Sequence, residues 1–177
     1  MTIKPFFLSA ALLFGSTSQA KEPAMDMQIL LEQYLTWTQK IESQGREIGD
    51  PLDKNGLALA KEIGIKHPEK VRIIYLDTVP FPIENKALKA MGESLGFIGE
   101  GIINNAQVFG YSIYVRDGYE LNRPKLAHEL VHVLQIERAN FAKVLHQHIA
   151  DMQKYSYDKA PLEVEAFKAN IKYAIQE

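Results

Sequence analysis

Apolar residues recur at helical spacing early in the chain. Leu30, Tyr34, Trp37 and Ile41 fall at i, i+4, i+7 and i+11, which predicts a helix over residues 26–43. Gly45, Gly49, Asp50 and Pro51 break the pattern. A second helical stretch covers residues 53–63 and stops near Gly64. Residues 71–76 (VRIIYL) are short, β-rich and bounded by Pro68 and Pro80, and read as a strand. After a Pro80-Phe81-Pro82 loop, Leu88, Met91 and Leu95 place a helix over residues 86–95, and Gly96, Gly99 and Gly101 loosen the segment behind it. Residues 107–115 (QVFGYSIYV) carry the strongest strand signal, with an Asp117-Gly118 turn behind them.

The longest helical region begins near Asn122, with Pro124 in its first turn, where a missing N–H costs nothing. It runs at least to Gln135 and, with a bend, to Met152. A last helix opens at Pro161 and continues towards the C-terminus. The pattern predicts an α+β fold, mainly helical, with a small mixed or antiparallel sheet.

The chain's beginning changes the picture. Lys4, the apolar run of residues 6–14 and the small residues around Ser18-Gln19-Ala20 read as a bacterial signal peptide, residues 1–20, with the mature chain starting at Lys21. The expected location is therefore periplasmic or secreted. The run is too short to cross a bilayer, which needs about 20 apolar residues. No other segment is long and apolar enough, so no stable membrane anchor is expected. With no cysteine, a lipid-modified cysteine, disulfides and thiolate metal ligands are excluded. The 177 residues, 46% of them hydrophobic, suit one domain over residues 21–177. A net charge of -2 gives no basic excess for a nucleic acid partner.

Candidate chemistry sits in the long helix, in Leu126-Ala127-His128-Glu129-Leu130-Val131-His132-Val133-Leu134-Gln135. It contains H-E-x-x-H. Residues four apart share a helix face, so both imidazoles can reach one ion about 2.0–2.1 Å from each nitrogen. Glu129 projects to the side, within reach of a water at the ion, and serves as the candidate general base. Leu126, Leu130, Val133 and Leu134 make an apolar stripe, which suits a helix forming the floor of a cleft. Zinc is the expected ion. Its third ligand must come from His146, His148, Asp151, Asp158, Glu163 or Glu165. The metzincin continuation, with glycine and a third histidine, is absent. Pro161-Leu162-Glu163-Val164-Glu165-Ala166-Phe167 opens the last helix with two carboxylates. Glu165 lines up with Lys168 and Lys172 on a solvated face. Glu163 lines up with Ala166, Phe167, Asn170 and Ala174 on the inner face, where a carboxylate needs a cation. This favours Glu163 over Glu165.

Residues 107–174 resemble the gluzincin clan of zinc metallopeptidases, most of all its short bacterial members with H-E-L-x-H-x-x-Q followed by P-L-E-x-E-A. The resemblance implies a zincin-like domain acting on a peptide or protein substrate. Its catalytic unit would span residues 101–177, beside a helical N-terminal lobe of residues 21–100. It implies zinc held by His128, His132 and Glu163, with Glu129 as base. It also implies an edge strand, here residues 111–115, that pairs with an extended substrate. The family often has Asp where this chain has Phe167. Tyr119, His146, His148, Tyr155 and Tyr157 are candidates to stabilise an oxyanion. The alternative is a binding or structural protein on the same scaffold, without turnover.

Overall fold

A computed structural model describes residues 26–174; the expected signal peptide lies outside them. About 61% of the described chain is helical, and the sheet is small and mixed, which is the α+β arrangement the pattern predicts.

Helix α1, Met27–Ile48, starts at Asp26, whose carboxylate accepts from Gln28 N at 3.0 Å. It runs past Gly45, which therefore does not stop it. Ser112 Oγ donates to Glu42 O at 3.0 Å, and Tyr114 Oη donates to Ile41 O at 2.8 Å, so the sheet docks directly on this turn. A Cβ on Gly45 would lie 2.6 Å from Ser112 Oγ. Glycine here permits close approach. Gly45→Ala should lower stability by about 1–3 kcal/mol through overpacking. The readout is a lower urea midpoint at an unchanged slope; an unmoved midpoint would mean the contact has room to spare.

The sheet has strands β1 (Asp50–Pro51), β2 (Arg72–Leu76), β3 (Ala106–Phe109) and β4 (Ser112–Arg116), in the order β1-β2-β4-β3. β2 and β4 are parallel, with Ile73 opposite Ile113; the other pairings are antiparallel. Residues 107–115 are thus not one strand. Phe109 pairs with Ser112 across a two-residue turn, with Gly110 first at φ 60°. A tight hairpin asks for a glycine at that position. Residues 111–115 are also not the expected edge, because β4 lies between β2 and β3. The edges are β3 and, on the other side, the two-residue β1.

The remaining helices are α2 (Lys54–Ile63), α3 (Lys86–Ser94), α4 (Arg123–Ala139), α5 (Phe141–Lys154) and α6 (Pro161–Tyr173). One core forms where the sheet meets α2, α4 and α6, around Leu59, Ile113, Val115, Leu130, Val133 and Ala166. A second joins α1, α3 and α5 through Leu30, Tyr34, Leu88, Met91 and Leu145. Residues from both sides of position 100 enter each core. The bend expected after Gln135 falls at Asn140. Its backbone N–H closes α4 on Ile136 O, and its Oδ1 caps α5 by accepting from Lys143 N. Its φ of 105° and ψ of 159° lie in a region that residues other than glycine rarely adopt, and capping both helices holds it there.

Helix α4 is the hub. Ala127 to Val131 and Val133 to Gln135 are all buried, so it is enclosed on most sides and is not a cleft floor with one wet face. Its contact with α6 is the most extensive between any two elements. The small side chains Ala166 and Ala169 let the two helices approach closely. Among the described residues, no helix is long and apolar enough to cross a membrane.

Candidate metal centre

The α4–α6 contact brings three metal-binding side chains to one point. His128 and His132, one turn apart on α4, place their Nε2 atoms 3.1 Å from each other. Glu163, in the first turn of α6 and 4% exposed, directs its carboxylate between them. Its Oε2 is 3.5 Å from His128 Nε2, and its Oε1 is 3.7 Å from His132 Nε2. The three residues offer donor atoms all within 4.8 Å of one another, and the group could hold a metal ion. Bonds of 2.0–2.2 Å to a tetrahedral ion put neighbouring donors about 3.3–3.6 Å apart, close to the spacing found.

Hydrogen bonding on the far side of each ring explains why a cation belongs here. His128 Nδ1 faces Asn170 Oδ1 at 2.9 Å, and His132 Nδ1 faces Gln135 Oε1 at 2.9 Å. An amide oxygen only accepts, so each Nδ1 carries the hydrogen. In the neutral rings both Nε2 atoms then present bare lone pairs to each other. Glu163 Oε2 adds a buried acceptor with no hydrogen-bond partner. Three electron-rich atoms in a buried pocket repel unless a positive charge sits among them.

The ionisation preferences express the same need. Burial alone would pull His128 down, but the carboxylates of Glu163 and Glu129 more than offset it, leaving the ring above ordinary histidine. Burial would raise Glu163, yet His128, His132 and the Tyr157 phenol hold it below the usual carboxylate range. A proton shared in the cluster would do part of a metal's work. Glu129 behaves differently: burial pushes it up, and the two imidazoles only partly oppose this. It is a poor anion next to two potential cations, as a group that must take up a proton should be.

Other candidates separate clearly. His148, on α5, places Nδ1 3.8 Å from Glu163 Oε1 and stacks on Phe97 at 6.2 Å. It is half-buried, not solvated, and burial keeps it below ordinary histidine. Tyr157 is pushed up by burial and by the charges of Glu163 and Glu129, and Tyr119 by burial and Glu129. His148 therefore borders the site, as does Tyr157, whose ring meets Phe167 edge-on at 6.1 Å. His146 is exposed, and Tyr155 packs under Lys154. Asp151 is buried, its Oδ1 accepting from Gln147 and its Oδ2 without a hydrogen-bond partner, but it lies outside the donor group, and Asp158 is exposed beside Ser156.

Glu165 lies outside the donor group, and its surroundings correct the expected solvated pairing with Lys168 and Lys172. It accepts from Arg138 Nη1 at 2.6 Å and from Gln135 Nε2 at 2.9 Å, both on α4. Lys172 reaches Glu62 and Tyr173 instead. Phe167 packs edge-on against His128 at 4.9 Å. The hydrogen-bonding support absent at that position comes from Asn170. Sequence reasoning gave Gln135 and Asn170 no role. The signals were present: Gln135 stands three residues after His132, and Asn170 seven after Glu163, each on the shared helix face.

Two open recesses, of about 630 and 350 Å3, lie along α1, and none of the site residues lines them. The buried donors and their ring-orienting amides mark the chemical site more firmly than concavity does. Compared with known proteins, the chain matches no family model, no curated protein and no solved structure.

Proposed function

We propose that the protein is an exported zinc peptidase of the gluzincin kind. The observation that supports it best is the pair of Nε2 atoms 3.1 Å apart, with the buried Glu163 carboxylate 3.5 and 3.7 Å from them. Two nitrogens and one carboxylate make up the donor set of catalytic zinc sites that keep a position open. Zinc, when bound, would polarise the scissile carbonyl and make water acidic near neutral pH.

The chain's own residues divide the remaining work. Glu129, next to the first histidine on α4, accepts a proton from the attacking water and passes it to the leaving amine. Tyr157, half exposed, and His148 border the site where charge develops on the carbonyl oxygen, and they can donate to it. An extended substrate would pair with β3 and not with β4. In the hairpin register, Gln107 and Phe109 bond to β4, which leaves Ala106 and Val108 to present N–H and C=O outwards.

The test uses the mature chain purified without chelator. One zinc per chain, cleavage of an unfolded protein, loss of cleavage with chelator and its return with zinc would support the reading. No metal uptake from excess zinc at neutral pH would overturn it. Stoichiometric zinc without cleavage would instead identify a metal-binding protein without turnover. Zinc at a hundred times its Kd should add about 2.7 kcal/mol of stability. For a chain of this size that is a Tm rise of roughly 5–10 °C, and chelator should reverse it.

A further inference from the structure

The second acidic residue of the P-L-E-x-E-A segment has no place in the donor group, yet it is tied to it. Gln135 is 4% exposed. Both hydrogens of its amide are committed, one to Leu162 O and one to Glu165 Oε2, each at 2.9 Å. Its oxygen is therefore fixed towards His132 Nδ1, 2.9 Å away. The other Glu165 oxygen meets Arg138 at 2.6 Å, in an ion pair whose side chains are 42% and 57% exposed. An unbroken chain of hydrogen bonds runs from a surface ion pair, through an amide, to one imidazole of the metal group. The amide also grips Leu162, the residue before Glu163, so it sets the distance between two of the three donors.

We propose that Gln135 and Glu165 form a positioning relay for the metal. Glu165 locks the Gln135 amide, and that amide fixes the tautomer and direction of His132 and the seating of Glu163. The inference rests on the metal-site reading above and adds that affinity is set partly from the surface. Neither residue touches substrate or ion. If either only filled space, a partner exchange would not restore what a single change removes.

Glu at position 135 would have no hydrogen to give Leu162 O or Glu165, and two carboxylates would collide. Gln135→Glu should therefore weaken zinc binding by about 10–100-fold, the usual scale for residues that orient metal ligands. Gln135→Glu combined with Glu165→Gln reverses the polarity of the contact, with residue 165 now donating to residue 135. It should bind zinc about tenfold more tightly than Gln135→Glu alone, yet more weakly than the parent, since no donor returns to Leu162 O. The surface variant Glu165→Ala, which leaves the core intact, should lose about tenfold. Zinc affinity is measured by chelator competition. The visible absorption of cobalt-loaded protein reports the ligand geometry, independently of turnover. It should change in Gln135→Glu and return in the double variant. If the parent chain binds zinc but the double variant binds no better than Gln135→Glu, or if Glu165→Ala matches the parent in affinity and cobalt spectrum, the relay is overturned while the metal site stands. A parent chain that takes up no zinc overturns both.

Discussion

Glu129→Gln is expected to keep its metal and to lose peptide hydrolysis by about a hundredfold to ten-thousandfold. The side chain is 9% exposed on the enclosed helix α4, so an amide of the same shape fits without a cavity. The carboxylate is held by burial at a raised proton affinity, next to the imidazoles, and it lies outside the donor group. Removing it should leave zinc stoichiometry unchanged while kcat collapses. In the parent chain the proposed hydrolysis should slow towards acid pH, because a protonated Glu129 carboxyl cannot accept from water. That acid limb should be missing from whatever activity the variant retains. A variant that cleaves at the parent rate with its fold intact would remove Glu129 from the role of base.

Glu163→Ala should have the largest effect on the metal itself. Zinc sites with four protein ligands contribute about 10–16 kcal/mol of apparent binding energy, or about 3 kcal/mol per donor, and 1.4 kcal/mol is a factor of ten. Removing Glu163 should therefore weaken zinc binding by more than about a hundredfold. Glu165→Ala, two residues away on the same helix, should cost only about tenfold. The contrast matters because both are acidic residues of one short segment, and only their directions differ. Equal losses in the two variants, measured by competition against a chelator of known affinity, would contradict the geometry in which Glu163 alone faces the histidines. Thermal unfolding of both variants in chelator would show whether either change acts through the fold.

Much of this arrangement was legible from local pattern. The helices of residues 26–43, 53–63 and 86–95 were marked by periodicity and closing glycines, and Pro124 and Pro161 marked two helix starts. Spacing along α6 separated the inward Glu163 from Glu165. The features that local pattern missed depend on elements distant in sequence. Gly45 read as a stop because nothing nearby reveals that Ser112 will pack on it. The hairpin inside residues 107–115 was hidden because Ser112 and Tyr114 alternate with Ile113 and Val115 as in a half-buried edge, whereas all four are buried in β4, and Gly110 was the only mark of the turn. Glu165 was matched with lysines on its own helix, whereas its partners Arg138 and Gln135 come from α4. The orienting amides of Gln135 and Asn170 escaped for a related reason. A neutral side chain carries no charge pattern, and its meaning appears only when the ring it touches has been placed.

The histidines stand on α4, while the carboxylate arrives from α6, the last helix described. An ion among them would rivet α6 to α4. A shortage of that ion would then loosen α6 from α4 and, on the function proposed above, idle the site in the same event.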